Sequence, residues 1–309
     1  MGEVWLATYD GPGGFHRQVV LKTVRPDLAE RADLVDTLLR EAALAARLSH
    51  PNLVQIFDLD CVDGTYFFAM EYVAGRTLTA VLQQAAAISA TVAPWFLASV
   101  VASTCDGLHH AHELVDERGQ PLHLVHGDVT PSNIMVATSG HVVLLDLGIG
   151  AAGIGAEADP GVLDDRLQSM APERIQGAAC DVRCDVYALG VILYRGLTGC
   201  APYTATDEYD LIQQIAAGPP PPPSDRRPLL PAALERICRT AMAHDPAQRH
   251  ADAAALSADL RDWLRARGEQ PTSGDLARYV ARLFREDASG VPLATDVVKP
   301  PTGSPRRYC

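Results

Sequence analysis

The stretch HGDVTPSN, His126–Asn133, decides how the chain is read. It crowds a histidine, an aspartate and an asparagine together with a glycine, a proline and two hydroxyl residues. Such a mixture favours a loop over a regular element, because glycine and proline punctuate structure and the polar side chains compete for backbone hydrogen bonds. Short strand-like pieces surround it. HLVH at 123–126 runs into it, and IMVAT at 134–138 and HVVLLD at 141–146 follow as a candidate hairpin. That hairpin delivers a second aspartate, Asp146 of DLG, thirteen residues beyond Asn133.

Working outward toward the N-terminus, VWLAT and QVVLKTV read as two strands around Asp10-Gly11-Pro12-Gly13-Gly14. From Asp27 to Leu48 the pattern turns helical, with Leu34, Leu38, Glu41, Ala42, Ala45 and Leu48 at three- and four-residue spacing. LVQIFDLD and YFFAMEYV, joined through Asp63-Gly64, are two further strands. Residues 1–75 therefore predict a small antiparallel sheet carrying one helix. Beyond Gly75 the spacing predicts helices at about 77–86, 93–115, 184–199, 207–217, 231–243 and 252–267. Pro219–Pro223 reads as an ordered surface connector. Residues 269–309 change composition: one helix over 274–286, then a Gly/Pro/Ser-rich stretch expected to be a mobile tail. The fold class is α+β, with a β-rich small lobe at about 1–75 and a helical large lobe at about 76–268.

Composition narrows the function. Of 309 residues, 48% are hydrophobic, enough for a sizeable core. The net charge of -12 disfavours nucleic acid and anionic membranes as partners, since both select positive surfaces. The local pair Arg226-Arg227 reads as a solvated loop. Seven cysteines, an odd number, read as small buried hydrophobes, and the Cys180/Cys184 spacing has no second pair to complete a zinc site. No disulfide framework, secretory signal or membrane-length apolar run is visible, so the expected setting is the reducing cytoplasm.

A β-rich small lobe, a helical large lobe and HGDVTPSN between them resemble the eukaryotic-type protein kinases, bacterial serine/threonine members included, over residues 1–268. The resemblance rests on several short motifs in one order. Lys22 in VVLK takes the place of the lysine that neutralises the ATP phosphates, and Glu41 that of its carboxylate partner. The text that follows, AARLSHPNLVQIFD, fits the family's helix-to-strand transition. By the same resemblance Asp128 is the base that receives the acceptor hydroxyl proton, and Asn133 and Asp146 are oxygen ligands of Mg²⁺. Alignment with the family roofs an adenine pocket with Val4 and Val20 and floors it with Met135. Met70 stands at its back, the Glu71 and Val73 backbones meet the base, and Thr77 lies near the ribose. Ala171-Pro172-Glu173, DVYALG from Asp185 and Arg249 of DPAQRH match structural positions: a buried Glu173–Arg249 pair and a helix-start carboxylate that braces the catalytic loop.

Departures from the family pattern shape the expectation. Of the glycine-rich loop only Gly2-Glu3-Val4 is present, and we expect in-frame coding sequence upstream of Met1 to supply a strand and G-x-G. Gly127 replaces the arginine that reads a phosphorylated activation loop, and Ser169 is the sole hydroxyl between Gly148 and Met170. This predicts a kinase not switched by loop phosphorylation. Asp165-Arg166 stands where Gly-Thr is usual, and Thr130 where a phosphate-facing lysine is usual. The resemblance thus implies an Mg²⁺- and ATP-dependent serine/threonine kinase acting on protein substrates. Two alternatives stay open: a pseudokinase that binds without transfer, and a small-molecule kinase of the aminoglycoside or choline type, which shares the His-Gly-Asp spelling.

Overall fold

A computed structural model of the chain describes residues 3–24, 39–40, 42–146 and 165–284. Its described residues divide into two compact units, the first built from residues up to 49 and from 54–72, the second from 50–53 and from 73–284.

The first unit is a four-stranded antiparallel sheet in the order β1-β2-β4-β3: β1 Val4–Asp10, β2 His16–Thr23, β3 Ile56–Val62 and β4 Thr65–Glu71. Glycine at Gly13, Gly14 and Gly64 takes positive φ in the two hairpin turns, where a side chain would be strained. The register sets Val4 opposite Lys22 and Val20 opposite Met70. Phe68 and Met70, two apart, are both buried, as the period of a half-buried strand requires. Residues 39–40 and 42–45 are helical, within the stretch predicted as helix.

The second unit starts with a three-stranded antiparallel sheet, β5 Gly75–Thr77, β6 Ile134–Ala137 and β7 Val142–Leu144. The helices are α1 Leu78–Ala87, α2 Pro94–His112, α3 Asp165–Gln168, α4 Pro172–Ile175, α5 Arg183–Thr198, α6 Glu208–Ala217, α7 Pro223–Arg226, α8 Ala232–Ala241, α9 Ala253–Ala266 and α10 Ser273–Leu283. Their ends carry sequence signals. Thr77, Asp207 and Asp252 accept backbone N–H groups as N-caps, Thr272 and Asp275 form a capping box, and α5 stops at Gly199 in the left-handed region.

The apolar helices α2 and α5 form the centre of this unit, with Phe96, Leu97, Leu108, Tyr187, Leu189 and Ile192 almost wholly buried. Gly190 and Gly196 of α5 have no room for a Cβ against Met242 and Leu97, so helix packing there depends on glycine. The last described helix, α10, packs on the same core. Tyr279 stacks on Phe96 at 4.3 Å and accepts the Ala93 N–H on its hydroxyl at 3.0 Å.

Three expectations need correction. HLVH is not a strand: His123 has φ +49 and the stretch carries no regular pairing. β5 escaped prediction because three residues, one a glycine, offer no alternation to read. The cysteines are not uniformly core residues: Cys105 and Cys238 are buried, Cys61 and Cys200 are exposed, and Cys180 is disulfide-bonded to Cys184.

Candidate active site

The loop at 126–133 is held from below by one buried carboxylate. Asp185, in the first turn of α5 and 1% exposed, accepts the backbone N–H groups of His126 and Gly127, each at 2.8 Å. Its Oδ2 also meets His112 Nε2 of α2 at 2.9 Å. Burial pushes this carboxyl up, but the His112 hydrogen bond and charge, the charge of His126 and the Gly127 N–H outweigh it. The carboxyl therefore sits below the ordinary carboxylate range.

The remaining contacts of the loop are as specific. His126 Nδ1 accepts the Asp128 N–H at 3.2 Å, which leaves Nε2 to carry the proton and donate to the Leu145 carbonyl at 3.2 Å. Gly127 has φ +69, and a Cβ there would lie 3.0 Å from Arg174 Nη1. Arg174 of α4 donates to the Gly127 carbonyl. The backbone conformation asks for glycine, while the guanidinium tip, at the end of a flexible side chain, adds only a tight contact.

Asp128, 8% exposed, is tied to Asn133. The amide nitrogen of Asn133 donates to the Asp128 carbonyl at 2.9 Å and lies 3.3 Å from its Oδ2. Asn133 closes a 3₁₀ turn over Pro131–Asn133, and its carbonyl accepts the Leu145 N–H at 2.7 Å. Ile134 pairs with Leu144, so the hairpin carries Asp146 back beside Asn133. Asp146 has φ +47, a left-handed conformation uncommon for a residue with a side chain. The donor set suits a hard cation. With the Asn133 nitrogen committed to Asp128, its Oδ1 is the atom left to accept or coordinate.

The other expected site residues are distributed as follows. Lys22, half-buried on β2, lies opposite Val4 on one side and Phe68 on the other. Val20 lies opposite Met70, and Glu71 opposite Val19. In the second unit Thr77 pairs with Met135 across β5 and β6, and Val73 precedes β5. The Thr77 hydroxyl already accepts the Ala80 N–H as cap of α1. Glu41 lies outside the described residues.

Two guanidinium groups escaped the sequence reading. Arg174 is one. The other is Arg166, whose Nε lies 3.5 Å from Asp128 Oδ1. With Gly127, Asp128, Thr130 and Ser169 they line one cavity. The unusual Asp165-Arg166 spelling was visible in the sequence, whereas nothing in the spacing pointed to Arg174. Further out, Glu173 and Arg249 pair through two bonds of 2.7 Å. Glu173, Cys180 and Cys184 bring ligand atoms within 4.8 Å of one another. The sulfurs are bonded together and the carboxylate is taken by Arg249, so this trio does not suit a metal.

Comparison with known proteins agrees with this geometry. The family described as "Protein kinase domain" matches residues 13–260. The tyrosine-protein kinase MasK of Myxococcus xanthus is 37% identical over 301 residues, 96% of this chain and 47% of that protein. The serine/threonine-protein kinase PknD of Mycobacterium tuberculosis is 33% identical over 270 residues, 85% of this chain and 38% of that protein. The chain therefore spans less than half the length of these curated relatives. Among solved structures, the PknI kinase domain of Mycobacterium tuberculosis superimposes with a TM-score of 0.63 at 28% identity, covering 85% of this chain and 91% of that one.

Proposed function

This chain belongs to the protein kinase domain family, and from that premise we propose that it transfers the γ-phosphate of ATP to hydroxyl groups of protein substrates. One observation carries the reading. Asp128 and Asn133 are hydrogen-bonded to each other on a loop braced by Asp185, and Asp146 directly follows Leu145, whose N–H the Asn133 carbonyl accepts. Asp128 orients the acceptor hydroxyl and takes its proton. Asn133 and Asp146 would hold Mg²⁺, which neutralises phosphate charge when bound. Lys22 would face the phosphates, with Glu41, outside the described residues, as the carboxylate that the family pairs with it. Val4, Val20, Met70 and Met135, with the Glu71 and Val73 backbones, would receive the adenine, and Thr77 the ribose.

Serine and threonine are the acceptors we favour, because PknD and the other serine/threonine kinases among the relatives match 79% of the chain or more. Tyrosine is the second reading, supported by the 37% identity to a protein named as a tyrosine kinase. Control by loop phosphorylation is not expected. The arginine that would read the mark is Gly127, the space beside it is taken by Arg174, and Ser169 is buried at 6% exposure.

The test is a transfer assay with labelled ATP and a peptide library, followed by identification of the phosphorylated amino acid. Transfer abolished by Asp128→Asn supports the reading, and the labelled residue decides between the acceptors. Nucleotide binding without transfer would instead leave a binding module, and transfer only to small alcohols would sink the protein-substrate reading.

A further inference from the structure

We propose that Arg166 is the cation that faces the phosphoryl group during transfer, a role that no residue of the catalytic loop itself fills. The inference rests on the kinase reading above. HGDVTPSN contains no lysine or arginine, yet a phosphoryl group in flight carries negative charge that positive groups must stabilise.

The chemistry fixes where such a cation must be. The acceptor oxygen forms a bond to the γ-phosphorus while its proton passes to Asp128. The bond from phosphorus to the β,γ-bridging oxygen breaks, and ADP leaves with that electron pair. The hydroxyl oxygen lies roughly 3 Å from both the base and the phosphorus. A guanidinium beside the base is therefore within reach of the phosphoryl oxygens.

Arg166 is built into that place. Its side chain is 19% exposed and its Nε lies 3.5 Å from Asp128 Oδ1. Three contacts hold the turn that carries it. Asp165 is bonded to Arg195 of α5 at 2.7 Å, Leu167 packs on Tyr203, Leu211 and Ile215, and the Ser169 and Met170 N–H groups close back onto the turn. The separation of 3.5 Å exceeds a normal N–H···O hydrogen bond, so Arg166 does not consume the lone pairs that Asp128 needs for the acceptor proton. Arg174, the other guanidinium on the cavity, donates to the Gly127 carbonyl.

Thr130 lines the same cavity, which makes the cation transplantable. Steady-state kinetics should show kcat of Arg166→Ala at least tenfold below wild type, with KM for ATP within about twofold. Arg166→Lys should keep most of the activity. A lysine introduced by Thr130→Lys in the Arg166→Ala background should restore part of what was lost, which a merely structural role would not allow. Unchanged kcat in Arg166→Ala overturns the proposal, and increased kcat would make Arg166 a gate that blocks the base. If wild type and Asp128→Asn are equally inert toward every acceptor, the kinase reading fails on its own account. Binding of MgADP with aluminium fluoride then decides the role of Arg166. A tenfold weaker affinity in Arg166→Ala, with ADP alone unchanged, upholds it; equal affinity or no binding overturns it.

Discussion

Two carboxylate–guanidinium pairs in the second unit illustrate opposite uses of the same chemistry. Glu173 and Arg249 are saturated. The Arg249 side chain is 0% exposed, grips both Glu173 oxygens at 2.7 Å, and donates to the carbonyls of Ala243, Arg183 and His244 as well. All five guanidinium N–H groups are thereby used. Asp128 and Arg166 approach only to 3.5 Å, on the border of an open cavity. The first arrangement has no capacity left for a ligand and can only hold structure. The second pair meets at one 3.5 Å approach, on the lining of the cavity that Gly127, Thr130 and Ser169 share.

The contrast yields a graded set of expectations. Arg249→Ala should cost the most, about 3–5 kcal/mol by urea denaturation, because it strands Glu173 in a partly dry site. A loss below about 1 kcal/mol would place that pair among ordinary surface contacts. Asp185→Asn should cost about 2–3 kcal/mol, since an amide can accept one loop N–H but loses the charge that binds His112. Activity should fall with it, because the His126 and Gly127 backbones set the position of Asp128.

Acid should expose the same carboxylate more gently. The folded pKa of Asp185 is depressed, so its stabilisation is complete above the ordinary carboxylate value of about 3.9 and disappears as pH falls through the folded value. Denaturation midpoints of the wild type should therefore decline below pH 4 more steeply than those of Asp185→Asn. Parallel declines would assign the acid sensitivity to other groups. The smallest effect on stability belongs to Arg166→Ala, about 1 kcal/mol or less, because the 3.5 Å approach to Asp128 is longer than a normal hydrogen bond. A thermal shift as large as that of Arg249→Ala would erase the distinction between the two pairs.

Much of this was legible in the chain. Alternating apolar residues announced β1, β2 and β4, helical spacing announced α2, α5 and α9, and both kinds of signal are local. The brace from Asp185 was readable because its segment, DVYALG, has a recognisable spelling. Other features were not. Arg174 lies 47 residues from the Gly127 carbonyl it binds, and no periodicity links them. The 3.5 Å approach of Arg166 to Asp128 was equally hidden, although the odd spelling at 165–166 marked the spot. β5 exists only because β6 offers it an edge.

By itself, then, the sequence determined the longer strands and helices and the family to which the motifs belong, because backbone preference and motif spelling are written over a few consecutive residues. Tertiary structure alone decided that Arg249 closes on both oxygens of Glu173 while Arg166 approaches one oxygen of Asp128. That difference depends on distances between segments far apart in the chain, where less than one ångström separates a two-bond ion pair at 2.7 Å from an approach at 3.5 Å.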